Sequence, residues 1–373
     1  MNTAEKFEKD IEFFDRESEK QEIMSILRAK PQLINFIYGP INSGKTSLIM
    51  NLIDDLPKDY VVFYINLRET VIASYHDFLE VIFEVKYEGI LTKIKRFLGI
   101  QGDTFNDVIS DIGKTQGIPI PKGIFSMIFK EEKPKNAFKY ILKIIYGVRK
   151  KGKIPVFIID ELQKIGDVKV DSYLIYDVFN FFIRLTKELH LCHVFALSSD
   201  SLFIEKVYNE AILKDRCRYL LIDNFDEETT KKFLKRSNFS DDEQENTRKN
   251  IGGKPAHLIR IIDAKNRGKE VMDEIKMMLE SRKKEINDTL RKLKRFGSEI
   301  TYNEVPYKVD YNDALSTLKM FGERDEISAD EIDEVIKIYL VKNNVLFADC
   351  KNEMIKLQSK LDSITVREIL KEI

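Results

Sequence analysis

The chain has 373 residues and a mass of 43.7 kDa, a length that suggests two or three domains. Lys and Arg total 61 against 62 Asp and Glu, so the formal net charge is −1 at pH 7. That balance excludes a protein that coats nucleic acid by bulk charge, and it excludes an acidic disordered chain. A local basic patch stays open.

The uncharged run from Pro31 to Gly44, about 14 residues, is broken by Pro and Gly, whereas a membrane-spanning helix needs about 20 apolar residues. The first residues alternate charge with apolar side chains and carry no signal-peptide core. A soluble, cytoplasmic protein without membrane contact is expected. Cys192, Cys217 and Cys350 form no CxxC pair and no metal spacing with the four histidines, so buried free thiols are expected.

In chain order, Asp15 or Ser18 can cap a helix that runs toward Leu27. Gln32–Tyr38 reads as a short buried strand, Ser43–Asp54 as an amphipathic helix, and Tyr60–Leu67 as a second strand. Residues 76–150 read as a mostly helical insertion with an exposed or mobile loop, GKTQGIPIPKG, at 113–123. Ile154–Asp160 is an apolar strand ending in acid. Asp171–His190 reads as a long helix, Val194–Leu197 as a strand followed by SSDS, and Tyr219–Ile222 as one more strand. Nearly all-apolar strands alternating with helices predict an α/β fold with a parallel sheet buried on both faces. From about 226 onward the pattern turns helical, with short helices at Asp226–Arg236 and Asp241–Asn250 and another from about Ala256.

The first motif that carries chemistry is Gly39-Pro40-Ile41-Asn42-Ser43-Gly44-Lys45-Thr46, which fits G-x-x-x-x-G-K-[ST] between a strand and a helix. The two glycines let backbone amides turn inward around a phosphate. The helix that follows aims free N–H groups and the positive end of its dipole at the anion. Lys45 supplies a charge for the β- and γ-phosphates, and the Thr46 hydroxyl can ligate Mg²⁺. Nucleotide contacts are therefore expected from Gly39 through Thr46 and the adjoining Ser47.

The second motif is Val156–Glu161. Asp160 would hold the metal, through water, and Glu161 would act as general base. The third is Ser198-Ser199-Asp200-Ser201 at the next strand end, where Ser199 can sense phosphate or the segment can cap the following helix.

Taken in order, FxxRExE (Phe13 to Glu19), GPxxSGKT (Gly39 to Thr46), hhhhDEhQ (Val156 to Gln163), SSDS (Ser198 to Ser201), Asp215-Arg216 and GGKPxHL (Gly252 to Leu258) form one set. The set resembles an archaeal ATPase family within the STAND class of AAA+-related P-loop NTPases, over about residues 13–260. The resemblance implies a P-loop core at 1–225, a helical lid at 226–280 and a winged-helix-like domain at 281–373. It also implies that Phe13 to Glu19 packs near the adenine and that the turn with Gly253 and Pro255 starts a lid helix close to the nucleotide. A Gly-Arg pair often follows the SS segment in the family; here it is Asp215-Arg216. Arg216, Arg218 and Arg68 are the candidate phosphate-contacting arginines, and Ser199, Arg216 and Pro255 are the sensor candidates.

In the C-terminal third, residues 280–296 carry seven cations against three acids, a net of +4 that suits either a solvated face or phosphate backbones. Ser328–Glu331 fits a capping box opening the helix EIDEVIKIYL. Val345–Ala348 and Met354–Leu357 flank a polar turn, which reads as a hairpin. The expectation is an ATP-binding, Mg²⁺-dependent ATPase that switches contacts with an unidentified protein partner. A DNA-associated motor or loader and a nucleotide-binding protein without turnover are the alternatives, and an oligomer is compatible with each.

Overall fold

The structure is a computed structural model that describes residues 13–86, 114–131, 133–170, 172–302 and 305–373. The first half contains α1 (Glu17–Arg28), β1 (Ile34–Tyr38), α2 (Lys45–Asp55), β2 (Tyr60–Asn66), α3 (Tyr75–Ile82), β3 (Phe83–Lys86), β4 (Lys114–Gln116), β5 (Ile118–Pro121), α4 (Lys122–Glu131), α5 (Pro134–Lys150), β6 (Ile154–Asp160), α6 (Leu174–Ile183), β7 (His193–Ser198), α7 (Ser201–Asn209) and β8 (Cys217–Leu221). The second half contains α8 (Glu227–Arg236), α9 (Asp241–Ile251), α10 (Pro255–Asn266), α11 (Val271–Phe296), β9 (Glu299–Tyr302), β10 (Val305–Lys308), α12 (Tyr311–Met320), β11 (Glu326–Ser328), α13 (Glu334–Lys342), β12 (Leu346–Asp349), β13 (Met354–Leu357) and α14 (Lys360–Glu372). Contacts divide the chain into two compact units. One is Ser18–Tyr38 with Ile49–Leu221; the other is the segment up to Glu17 with Gly39–Leu48 and Ile222–Ile373.

The first unit is built on a six-stranded sheet in the order β4-β2-β6-β7-β1-β8, every pairing parallel. Its strands are runs of Ile, Val, Phe and Tyr because both faces are covered: β1 and β7 are buried at every position, and β6 from Pro155 onward. Phe36 meets Phe179 edge to face, and Phe157 meets Phe182, so α6 carries part of that cover. Each fully buried side chain of this kind contributes roughly 1.5–3 kcal/mol.

Three expectations are corrected in this unit. The segment GKTQGIPIPKG is not an exposed loop in its described part. Lys114–Gln116 joins the sheet beside β2, and Ile118–Pro121 is buried throughout, pairing in parallel with β3. Residues 87–113 of the insertion lie outside the described residues. The long helix expected over 171–190 is α6 followed by a wider turn at Arg184–Glu188. Of the cysteines, Cys192 and Cys350 are buried, and Cys217 is only half-buried.

In the second unit, α8 to α11 enclose an apolar cluster that includes Phe233, Leu234, Leu258, Ile262 and Ile275, with Phe14 and Phe225 packed against it. The hairpin β12–β13 forms as expected and joins β11 in an antiparallel sheet of order β11-β13-β12. The capping box Ser328–Glu331 exists but opens only a single 3₁₀ turn; α13 starts later, capped by Asp333. The reason is local: Asp333 offers its carboxylate to the amides of Val335 and Ile336, a second cap in the same stretch. Among the described residues no helix is long and apolar enough to cross a membrane.

Candidate functional site

The loop leaves β1 at Gly39. A Cβ at that position would stand 2.1 Å from the Ile222 carbonyl oxygen, so only glycine fits. Gly44, at φ +93°, turns the chain into α2, and the first helical bond runs from the Leu48 amide to the Gly44 carbonyl. The amides just before that bond are the ones a helix leaves without internal acceptors. Lys45 is 5% exposed, and its ammonium donates to the carbonyls of Gly39 and Pro40 at 3.0 and 2.9 Å. A phosphate oxygen is a stronger partner for an ammonium than a neutral carbonyl is. The loop therefore fits a polyphosphate.

Arg16 holds the loop from the N-terminal segment. Its Nη2 donates to the Ser43 carbonyl at 2.9 Å and to the Asp223 carbonyl at 2.5 Å, and its guanidinium lies 4.6 Å from the centre of the Phe225 ring. Asp15 and Arg16 both have positive φ. Asp15 caps no helix; its carboxylate accepts from Thr229. Pro255 opens α10, with its Cγ 3.9 Å from where a Cβ on Gly44 would be. The turn that opens α10 and the loop Gly39–Thr46 thus adjoin within this unit.

In the sheet unit the strand ends carry the acids. Asp160 is 3% exposed; its Oδ1 accepts from the Glu161 amide at 2.9 Å and its Oδ2 from the Tyr64 hydroxyl at 3.1 Å. Buried carboxylate oxygen suits a hard cation such as Mg²⁺. Among the described residues no group of three or more His, Cys, Asp or Glu could hold a metal ion. Burial, and then the Asp160 charge, push the Tyr64 phenol up, which keeps it a donor.

Glu161 takes a left-handed backbone conformation, φ 61° and ψ 43°, that costs a non-glycine residue about 1–2 kcal/mol. Its carboxylate pairs with Arg68, accepts from Gln163 Nε2 at 2.5 Å, and lies 3.4 Å from the Ser199 hydroxyl. Register explains the set. Asn66 on β2 stands opposite Asp160, so Arg68 lies just past the strand end; Ile159 stands opposite Ala196, so Ser199 lies beside Glu161. Ser198 donates to Gln163 at 2.8 Å and ties the constellation to β7. Asp200 caps α7 through the amides of Leu202 and Phe203.

Arg216 sits elsewhere. It precedes β8 at the N-terminal end of the sheet, opposite the edge that holds Asp160 and Ser199, and it donates to the Ile212 carbonyl. Arg218, near the same end, reaches Asn35. Of the three candidate arginines, Arg68 alone contacts the acidic pair. Sequence reasoning assigned no role to Tyr64 or Gln163, and placed Arg16 only within the Phe13–Glu19 segment expected near the adenine. The letters RE and DExQ were visible, but the strand register that gives them partners was not.

A family model described as an ATPase domain predominantly from Archaea matches residues 13–261, and one described as the C-terminal domain of an MJ1010-like ATP-binding protein matches 272–370. The uncharacterized ATP-binding protein MJ1659 of Methanocaldococcus jannaschii is 46% identical over 369 residues, covering 97% of this chain and 98% of the relative. An uncharacterized ATP-binding protein of Pyrococcus abyssi, PYRAB09480, is 42% identical over 358 residues, covering 96% and 98%. Among solved structures, the Walker-type ATPase PABY2304 of Pyrococcus abyssi shares the fold at a TM-score of 0.61 and 16% identity, over 95% of this chain and 96% of that one.

Proposed function

The chain belongs to the ATPase family found predominantly in Archaea, and on that premise we propose that it binds ATP and hydrolyses it with Mg²⁺ as a conformational switch. The loop from Gly39 to Thr46, with the adjoining Ser47, binds the phosphates through backbone amides and the Lys45 ammonium. Thr46 and Asp160 would hold the ion, which would supply positive charge against the phosphates. Glu161 takes the proton of the attacking water at its carboxylate.

The observation that carries this reading is the hold on Glu161. A solvated acid needs no brace, yet this one is 6% exposed and held by Arg68, Gln163 and Ser199 in a backbone conformation that costs energy. Strain retained at a strand end supports a chemical task. The ion pair with Arg68 occupies the Glu161 carboxylate until it opens, which favours slow turnover and a signalling output through a protein contact.

The same reading assigns a core at 1–225, a lid at 226–280 and a winged-helix domain at 281–373, within the STAND class of AAA+-related NTPases. The sheet order β11-β13-β12 with α12 and α13 supports the winged-helix assignment. A DNA motor is less well supported. From Ile336 to Val341, α13 is buried at every position, leaving no face there for a groove. Three of the seven cations at 280–296 are engaged with nearby acids: Arg282 with Asp362 and Glu285, Lys283 with Glu372, and Arg291 with Asp288.

The test is ATP hydrolysis with Mg²⁺ by the full chain and by Glu161→Gln. The proposal expects slow turnover by the first and retention of intact ATP by the second. Equal turnover by both would remove Glu161 from the mechanism.

A further inference from the structure

Gln358, directly after β13, is 4% exposed and sits at a junction of four hydrogen bonds. Its backbone amide donates to the Val345 carbonyl, and its backbone carbonyl accepts from Asn224 Nδ2 at 3.1 Å. Its side-chain Nε2 donates to the Leu346 carbonyl at 2.8 Å, a buried bond. With the donor half committed to β12, the acceptor half has one direction left, and Oε1 takes the Ile41 amide of the phosphate loop at 3.3 Å. Asn cannot span this distance from the same backbone, and no hydrophobic residue offers both a donor and an acceptor.

A parallel chain of contacts runs beside it. Lys356 on β13 pairs with Asp223, and the Asp223 carbonyl accepts from Arg16, whose same Nη2 holds the Ser43 carbonyl. Two backbone groups of one loop, an amide and a carbonyl two residues apart, are thus fixed by side chains separated from it by 317 and 27 residues. Each contact fixes one peptide group of the loop. A carbonyl held by Arg16 is kept from turning toward a phosphate, which leaves the amides of the following peptides to face it.

We propose that Gln358 and Arg16 are positioning residues for the phosphate loop. Through Gln358, the C-terminal strand pair sets how well that loop receives ATP. The inference rests on the ATP-binding reading above. It adds a direction of control: withdrawal of β12–β13 frees the Ile41 amide, relaxes the loop and weakens ATP binding. By linkage, ATP binding favours the arrangement in which Gln358 is engaged, by the same factor.

The test uses the full chain and Gln358→Met, which keeps the length of the side chain and removes its hydrogen bonds. ATP affinity is measured by titration, and amide hydrogen exchange is followed peptide by peptide. Loss of one neutral hydrogen bond predicts a Kd for ATP raised about two- to tenfold, the loss falling more on Kd than on turnover at saturating ATP. It also predicts faster exchange confined to Gly39–Lys45. Faster exchange across β12 and β13 with an unchanged loop would mean that Gln358 only holds the strand pair, and would overturn the proposal; so would a variant identical to the parent in both readouts. Should Gln358→Met fail to fold, Arg16→Lys carries the same test, since a single ammonium at that reach does not bridge both carbonyls. A parent protein that takes up no ATP would refute the ATP-binding reading, and the exchange of the loop would still decide the positioning role.

Discussion

In the loop Gly39–Thr46 the holding groups act on backbone atoms: Arg16 on the Ser43 carbonyl, Gln358 on the Ile41 amide, Lys45 on two carbonyls. At the end of β6 the holding groups act on carboxylate oxygens: Tyr64 on Asp160, and Arg68, Gln163 and Ser199 on Glu161. The difference teaches where each region stores its information. Any residue supplies an amide and a carbonyl, so the loop's shape depends on its glycines and on the side chains that reach it. The strand end depends on the identity of its own acids and on partners delivered by neighbouring strands.

The largest expected effect tests the loop. Lys45→Ala removes two or more charge-assisted bonds to phosphate, so the Kd for ATP should rise by on the order of 10³-fold in a titration. Binding within a factor of three of the parent would break the comparison, because the backbone alone would then suffice. Next comes the strand end. Glu161→Gln should lower turnover by about 10²–10⁴-fold while ATP stays bound, as read by single-turnover hydrolysis and nucleotide retention.

Acid unfolding probes the two units separately. Burial, and then the charge of Arg149, bring His193 in the sheet unit down from 6.5 to about 4. Burial, and then Lys254, do the same for His257 in the other unit. The folded state keeps each imidazole neutral where the unfolded chain binds a proton. Stability is therefore full above pH 6.5 and falls as pH drops toward 4, by at most about 3 kcal/mol for His193. Urea unfolding at pH 7 and pH 4.5 measures this, and His193→Gln should flatten the loss in the sheet unit alone. The smallest effect belongs to Arg68, whose side chain is 58% exposed. Arg68→Met should raise turnover at saturating ATP by about two- to fivefold, because an exposed ion pair restrains its partner weakly. A fall of several orders of magnitude would instead make Arg68 the arginine that stabilises transition-state charge.

Local pattern made much of this molecule legible. Apolar runs of five to seven residues marked β1, β2 and β6, because a strand covered on both faces must be apolar throughout. The spacing of Gly39, Gly44 and Lys45 marked the loop, because a backbone cradle followed by a helix start has few sequence solutions. Legibility ended where local rules compete. Ser328 and Asp333 both satisfy capping chemistry, and α13 starts from the later one. Ile118–Pro121 carries turn-forming prolines, yet it is a buried strand because β3 supplies the pairing that its own composition does not advertise.

By itself, then, the sequence determined the parallel sheet, the phosphate loop and the acidic strand end, all properties of contiguous residues and their periodicity. Only the tertiary structure decided that Arg68 rather than Arg216 meets Glu161, that Arg282 and Lys283 of α11 meet acids of α14, and that Arg16 and Gln358 reach the loop. The physical reason is common to all three. A side chain's periodicity says which face it occupies, but its polar partner is set by strand register and by loop closures over tens to hundreds of residues, which no local pattern records.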